Sequence, residues 1–214
     1  ADTPRNRILG LNRRTPEELV EHRQIMRVFT GLLLALFVAM LSGTIVGNAL
    51  PVIMAELNGT QLEYTWIVSA ALLASTPIFG KLSDLFDKRK LLFFALGIFA
   101  LGSLLAGLAT SASALIFFRV LQGIGMGSQM ALVQTTIATI IPPRARGRYN
   151  GYMGAVMAVA TVSGPLLGGL IVDTPWLGWR WTYWSAIPFT LIAIFVLHRR
   201  LTVPEVRRKK PQID

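Results

Sequence analysis

Long uncharged stretches alternate along the chain with short charged ones. Arg27 and Glu56 bracket 28 residues without a charge, and Glu63 and Lys81 bracket 17. Between Lys90 and Arg144 run 53 residues whose one charge is Arg119. Arg148 and Asp173 enclose 24 more, and Arg180 and Arg199 a last 18. A helix needs about 20 apolar residues to cross the hydrocarbon of a bilayer. The 53-residue run is too long for one helix, and its most polar break, "LATSASAL" at 108–115, divides it into two. The pattern predicts six spans, at roughly 28–52, 63–80, 90–109, 113–141, 149–172 and 180–198. Each is expected to be helical, because lipid offers backbone N–H and C=O groups no partner.

Composition agrees with this. Of 214 residues 53% are hydrophobic and 15% charged, against about a quarter charged in an ordinary soluble domain. The net charge of +10 would suggest nucleic acid in a soluble protein, but here its distribution decides. The segment before the first span holds six Lys or Arg, the loop at 81–90 four, the loop at 142–148 three, and the tail from 199 six. The opposite loops hold Arg180 alone, with Glu56, Glu63 and Asp173. Basic residues stay on the cytoplasmic side, so both ends and the two basic loops are expected there, in a multi-pass membrane protein. The charge is read as a topology signal that also attracts anionic lipid, and nucleic acid is not expected as a partner. Residues 1–27 form the expected cytoplasmic segment, with a short amphipathic helix opened by "TPEE" at 15–18. They lack the short apolar core and cleavage site of a secretory signal. Residues 28–198 are the helical bundle and 199–214 a basic tail or linker.

No cysteine is present, and the two histidines, His22 and His198, lie far apart at membrane edges. That leaves no thiol chemistry, no metal site and no Ser/His/Asp set inside a span. Neither an enzyme nor a cofactor is expected.

Several short stretches resemble one family. "GKLSDLFDKRK" at 80–90 carries Gly80, Leu82, Asp84, Lys88 and Arg89 in the pattern of the signature loop of the major facilitator superfamily, with Asp87 at the family's second glycine. "RVLQGIGMG" at 119–127 resembles its fourth-helix motif, and "SGPLLGG" at 163–169 the fifth-helix motif associated with antiporters. "GTIVGNALPVI" at 43–53 and "WRWTYWSAIP" at 179–188 resemble the first and sixth helices of the fourteen-helix drug:proton antiporter branch. The resemblance implies the amino-terminal six-helix half of such a fold. Its activity would be proton-coupled export of amphipathic drugs or related small molecules by alternating access. The partners would be membrane lipid, a small-molecule substrate, protons, and a missing second half or second copy. Two other readings stand beside it. One is a half-length membrane protein that packs against a partner without transporting; the other is an exporter of a lipid or metabolite with the same fold. The departures from the pattern are Ser42 where the first helix usually has an acid, Gly47 at an asparagine, and Ala186 at another.

The candidate residues follow. Arg119 is the one charge inside a predicted span, and a charged group there costs about 2.5–3.5 kcal/mol on insertion scales. It is expected to face the interior, with Gln122 on the next turn, and the resemblance implies an influence on proton coupling. Asp84 is expected to cap a helix start or pair with a basic residue, in a turn closed by Gly80, Lys88 and Arg89. Gly123 with Gly127, and Gly164 with Gly168, form faces where another backbone can approach. Pro165 and Gly169 add a bend. Ser42, Thr44, Asn48, Met126, Met130, Gln134, Met153 and Met157 are the candidate substrate cavity, the methionines because their side chains adapt to varied apolar shapes. No Asp or Glu lies inside a predicted span, so a titrating proton carrier is expected elsewhere.

Overall fold

A computed structural model describes residues 16–75 and 86–200. The described chain is helical throughout its ordered elements. Helix α1 is Pro16–Glu56, α2 Gln61–Ala74, α3 Lys88–Gly107 and α4 Ala112–Ile140. A single 3₁₀ turn, Pro143–Ala145, leads into α5, Arg146–Asp173, followed by α6, Arg180–Trp184, and α7, Ala186–Arg200. Five stretches are long and apolar enough to cross a membrane: within α1, α3, α4 and α5, and along α6 and α7 together. Helix α2 is the described part of the second span. The six expected spans are therefore present, as an all-α membrane bundle. Gly80 and Asp84 lie outside the described residues.

The segment expected to hold a short helix before the first span is helical but continuous with it. Between Glu17 and Val28 there is no glycine or proline, so nothing there interrupts the backbone ladder. In the sixth span the ladder does break, at Ser185. Pro188 has no N–H, which leaves the carbonyl of Trp184 without its usual partner in the helix.

Each helix end must satisfy backbone groups that the helix itself leaves open. Thr60 and Glu63 do this for α2 as a reciprocal capping box. Asp87 caps α3, accepting from the N–H of Arg89 at 3.1 Å. Ser111 caps α4. At the far end of α3, Arg180 donates to the carbonyls of Gly107 at 2.7 Å and Ala109 at 2.9 Å, stacked on Trp179.

Helix α4 packs against α3, α2 and α1, while α1 packs against α5, α7 and α4. At the end bearing the basic loops, Phe29, Leu32, Leu36, Leu92, Leu96, Leu132 and Leu197 share one buried cluster. At the other end Leu50, Ile53, Ile67, Leu115 and Tyr183 share a second. The approach of the helices is set by glycine. A Cβ on Gly123 would stand 2.5 Å from the carbonyl oxygen of Ala71, and one on Gly127 would meet the carbonyl of Ser75. A Cβ on Gly164 would collide with Thr44, and one on Gly168 would reach within 3.0 Å of the Ile45 carbonyl. The two expected faces are thus the α4–α2 and α5–α1 seams. Gly169 meets nothing.

Gly127→Val should drive α4 from α2 and cost about 1–3 kcal/mol, the range for overpacking a tight core. Gly151→Val, on the open face of α5 with nothing within 4 Å, should be tolerated. Unfolding midpoints of the two variants in neutral detergent check this. Equal stability would refute the seam.

Candidate functional site

Helix α4 carries an unusual polar column for an apolar span. Arg119, Gln122, Ser128, Gln129 and Thr136 are all buried along it. Arg119 is 8% exposed, and its Nη1 donates to Gln122 Oε1 at 2.7 Å. Gln122 passes the connection on. Its Nε2 donates to Ser103 Oγ of α3 at 3.0 Å and reaches Ser42 Oγ of α1 at 3.5 Å. The guanidinium thus leans along α4 away from its first turn, deeper into the span, instead of reaching out to the near interface. One polar thread ties α4, α3 and α1 together. Gly102 makes it possible, because a Cβ there would stand 2.7 Å from the backbone nitrogen of Gln122. The thread contains no carboxylate. Ser42 is 2% exposed and occupies the place where a carboxylate would meet Gln122. Arg119 Nε is buried without a partner, as is the hydroxyl of Tyr183 on α6. The result is a fixed positive charge with no acid beside it among the described residues.

A second seam joins α1 to α5. Thr44 Oγ1 donates to the carbonyl of Ala160 at 3.2 Å, and Asn48 Nδ2 to that of Pro165 at 3.3 Å. Thr44 and Asn48 therefore clasp the α5 backbone around its proline. Of the methionines, Met153 is buried and Met157 and Met130 are half-buried against the same cluster, while Met126 packs beside Val38, Phe99 and Ala186. The row from Arg119 through Met126 and Met130 to Gln134 passes from a buried end to an exposed one. Gln134 and Met153 do come together. They line a cleft of about 260 Å³ between α4 and α5, with Ile137, Ala138, Arg146 and Asn150.

At the same end of the bundle the basic pair expected to act in the signature turn makes cross-links between helices. Lys88 Nζ donates to Thr139 Oγ1 of α4 at 2.9 Å. Arg89 Nη2 donates to the carbonyl of His198 in α7 at 3.1 Å. Sequence reasoning missed three contributors. Arg146, read as one of a basic loop, donates to the carbonyls of Ala138 at 2.7 Å and Ile141 at 3.3 Å. Ser103 and Gln129 were passed over as ordinary span residues. Gln129 Nε2 donates to the carbonyl of Ala35 at 2.5 Å. The signal for Gln129 lay in its own row, an amide seven residues from Gln122 and so on the same face of the helix.

Residues 32–214 match the family profile described as Major Facilitator Superfamily. The chain is 40% identical over 177 residues to the multidrug transporter protein MdtP of Bacillus subtilis, covering 81% of this chain and 32% of that protein. It is 39% identical over 191 residues to an uncharacterised MFS-type transporter of Mycobacterium tuberculosis, covering 87% and 27%. The chain therefore spans about a third of the length of these relatives. Among solved structures it is similar to the proton:xylose symporter XylE bound to 6-bromo-6-deoxy-D-glucose, with a TM-score of 0.73 at 16% identity, over 84% of this chain and 45% of that one.

Gln122→Leu keeps the volume but leaves the buried guanidinium without its acceptor, at an expected cost of about 2–3 kcal/mol, as for a hydrogen bond to a charged group. Ser103→Ala removes one neutral bond and should cost about 1 kcal/mol. Thermal unfolding of both in neutral detergent should rank them in that order, and the reverse order would refute the thread as described.

Proposed function

The chain belongs to the Major Facilitator Superfamily, and on that premise we propose that it forms the amino-terminal six-helix part of a proton-coupled exporter of amphipathic small molecules. The observation that carries this reading is the buried Arg119–Gln122 pair and its reach to Ser103 and Ser42. A charge inside a span is costly and is kept where it faces a pathway or a coupling site. The relatives named as multidrug transporters favour drugs as the cargo.

In this reading the end with Lys88, Arg89 and Arg146 faces the cytoplasm of a bacterial cell, and the second half of the transporter lies across a cavity from α1, α4 and α5. Helix α5 offers an open face of small residues, Gly147, Gly151, Gly154 and Ala158, against which that half can slide. Alternating access is then rocking of one half on the other, with the α4–α2 and α5–α1 seams holding this half rigid. Asp84 is assigned to the moving contact at the cytoplasmic end. A guanidinium keeps its proton, so Arg119 cannot itself pass protons across the membrane. Its role is to set the charge balance of an acid supplied by the other half, since Ser42 cannot titrate. The candidate cavity residues Met126, Met130 and Gln134 lie along the wall that Arg119 begins.

The test is efflux by the complete transporter at matched membrane levels. Arg119→Ala should abolish export, and Arg119→Lys should recover less than a tenth of it, because a compact ammonium does not reproduce the planar fork held by Gln122. A protonophore should stop export by the wild type. Full export by the Lys form would remove Arg119 from the mechanism, and export indifferent to the protonophore would remove the proton.

A further inference from the structure

The cleft between α4 and α5 has a chemistry that the transport reading does not use. Although consecutive in the chain, these helices scarcely touch, and at their basic ends they enclose about 260 Å³. The apolar wall is Ile137, Ala138 and Met153. The polar groups are Gln134, Asn150 and Arg146.

Arg146 is held in place by its neighbours. Its Nε and Nη2 donate to the carbonyls of Ile141 and Ala138, which are open acceptors at the end of α4. A guanidinium has five N–H donors, so three remain free on a group whose position is already set. The same contacts satisfy the negative end of α4. The positive end of α5 is left open beside them, since no side chain caps its first turn. Gln134 and Asn150 make no hydrogen bond among the described residues, so their amides are also free to donate. Arg144 and Arg148 flank Arg146 in the chain, and Lys88 is bound to Thr139, the neighbour of Ala138. No acid among the described residues lines the cleft. Among the described residues the titratable group in the lining, Arg146, is therefore basic.

We propose that this cleft binds the anionic head of an amphipathic molecule, a phosphate or carboxylate group. Arg146, Gln134 and Asn150 are its donors, and Ile137 and Met153 hold the first carbons of its tail. Pockets that enclose a whole drug-sized ligand run from about 300 to 1,000 Å³. This one takes a head and the start of a chain, and the rest lies outside along the helices. Two sources offer that chemistry: an anionic lipid of the membrane, or a free amphiphile on its way out. The proposal rests on the transport reading only for the second of these, where the cleft becomes the first station of a substrate.

Calorimetry on the full-length protein in neutral detergent tests it without transport, using dodecyl phosphate and dodecyltrimethylammonium as probes. Dodecyl phosphate should bind at least tenfold more tightly than the cation. Arg146→Gln should weaken it tenfold or more. Because Arg146 also braces α4, the double variant Gln134→Leu/Asn150→Leu is the second arm. It leaves that brace intact and should weaken binding several-fold at an unchanged unfolding midpoint. Equal affinity for the two probes overturns the proposal, as does wild-type affinity in the double variant. In nanodiscs, competition from added phosphatidylglycerol assigns the head to a lipid, and its absence assigns the site to a free amphiphile. Both support the anion site. Binding without any efflux of anionic compounds keeps the cleft and removes only its place as the first station of a substrate. Efflux without binding does the reverse.

Discussion

A polar group placed in hydrocarbon has to find its partner inside the protein, because lipid supplies none. That constraint organises this chain from its backbone to its candidate site. It makes every span a helix, and it then acts on the helix ends and on the side chains that the spans enclose. The open carbonyls of α3 take Arg180 and those of α4 take Arg146. Asn48 and Thr44 of α1 add donors to the carbonyls of Pro165 and Ala160 in α5. Arginines that a linear reading assigns to membrane topology thus serve as caps as well. Both roles follow from one property, a charged head that stays hydrated while its donors reach back to the helix.

The same constraint explains the glycine pattern. Apolar packing gains little over lipid contact in a bilayer, so helices hold together through close approach and through hydrogen bonds. Gly123 and Gly127 bring α4 onto the backbone of α2, and Gly164 and Gly168 bring α5 onto α1. Gly102 does it a third time, between α3 and the backbone of Gln122. Only at that separation can Gln122 span from Arg119 to Ser103 and Ser42. Packing and candidate chemistry are one arrangement here. A bulkier residue at 102 would displace the amide that receives the buried charge.

Charge gives the half-bundle a direction. Among the described residues its interior holds Arg119 without an acid, and the cleft between α4 and α5 gathers donors with no carboxylate in its lining. Both sites present positive potential to whatever enters, and both would be most effective where water is scarce and screening is weak. This goes with the departure at Ser42, which stands where the first-helix motif it resembles usually has an acid and which offers Gln122 a neutral hydroxyl.

The number and position of the spans were readable from the residues alone, because the free energy of placing a segment in lipid depends on that segment's own composition. The charge boundaries at Lys90, Arg148 and Arg199 fall close to helix ends for that reason, while Arg27 lies inside the longer α1, and the pairs Gly123/Gly127 and Gly164/Gly168 announced seams by their spacing. Which helix each seam would meet was not readable. Neither were the cap at Asp87, the brace of Arg146 on α4, nor the meeting of Gln134 with Met153 and Asn150. Each of these depends on what stands opposite, often a residue tens of positions away and on another helix. A sequence states what every residue can offer along its own helix. The packing of α1, α4 and α5 decided which offers were met, because a hydrogen bond or a backbone contact exists only between groups that the tertiary structure has already brought within about 3 Å.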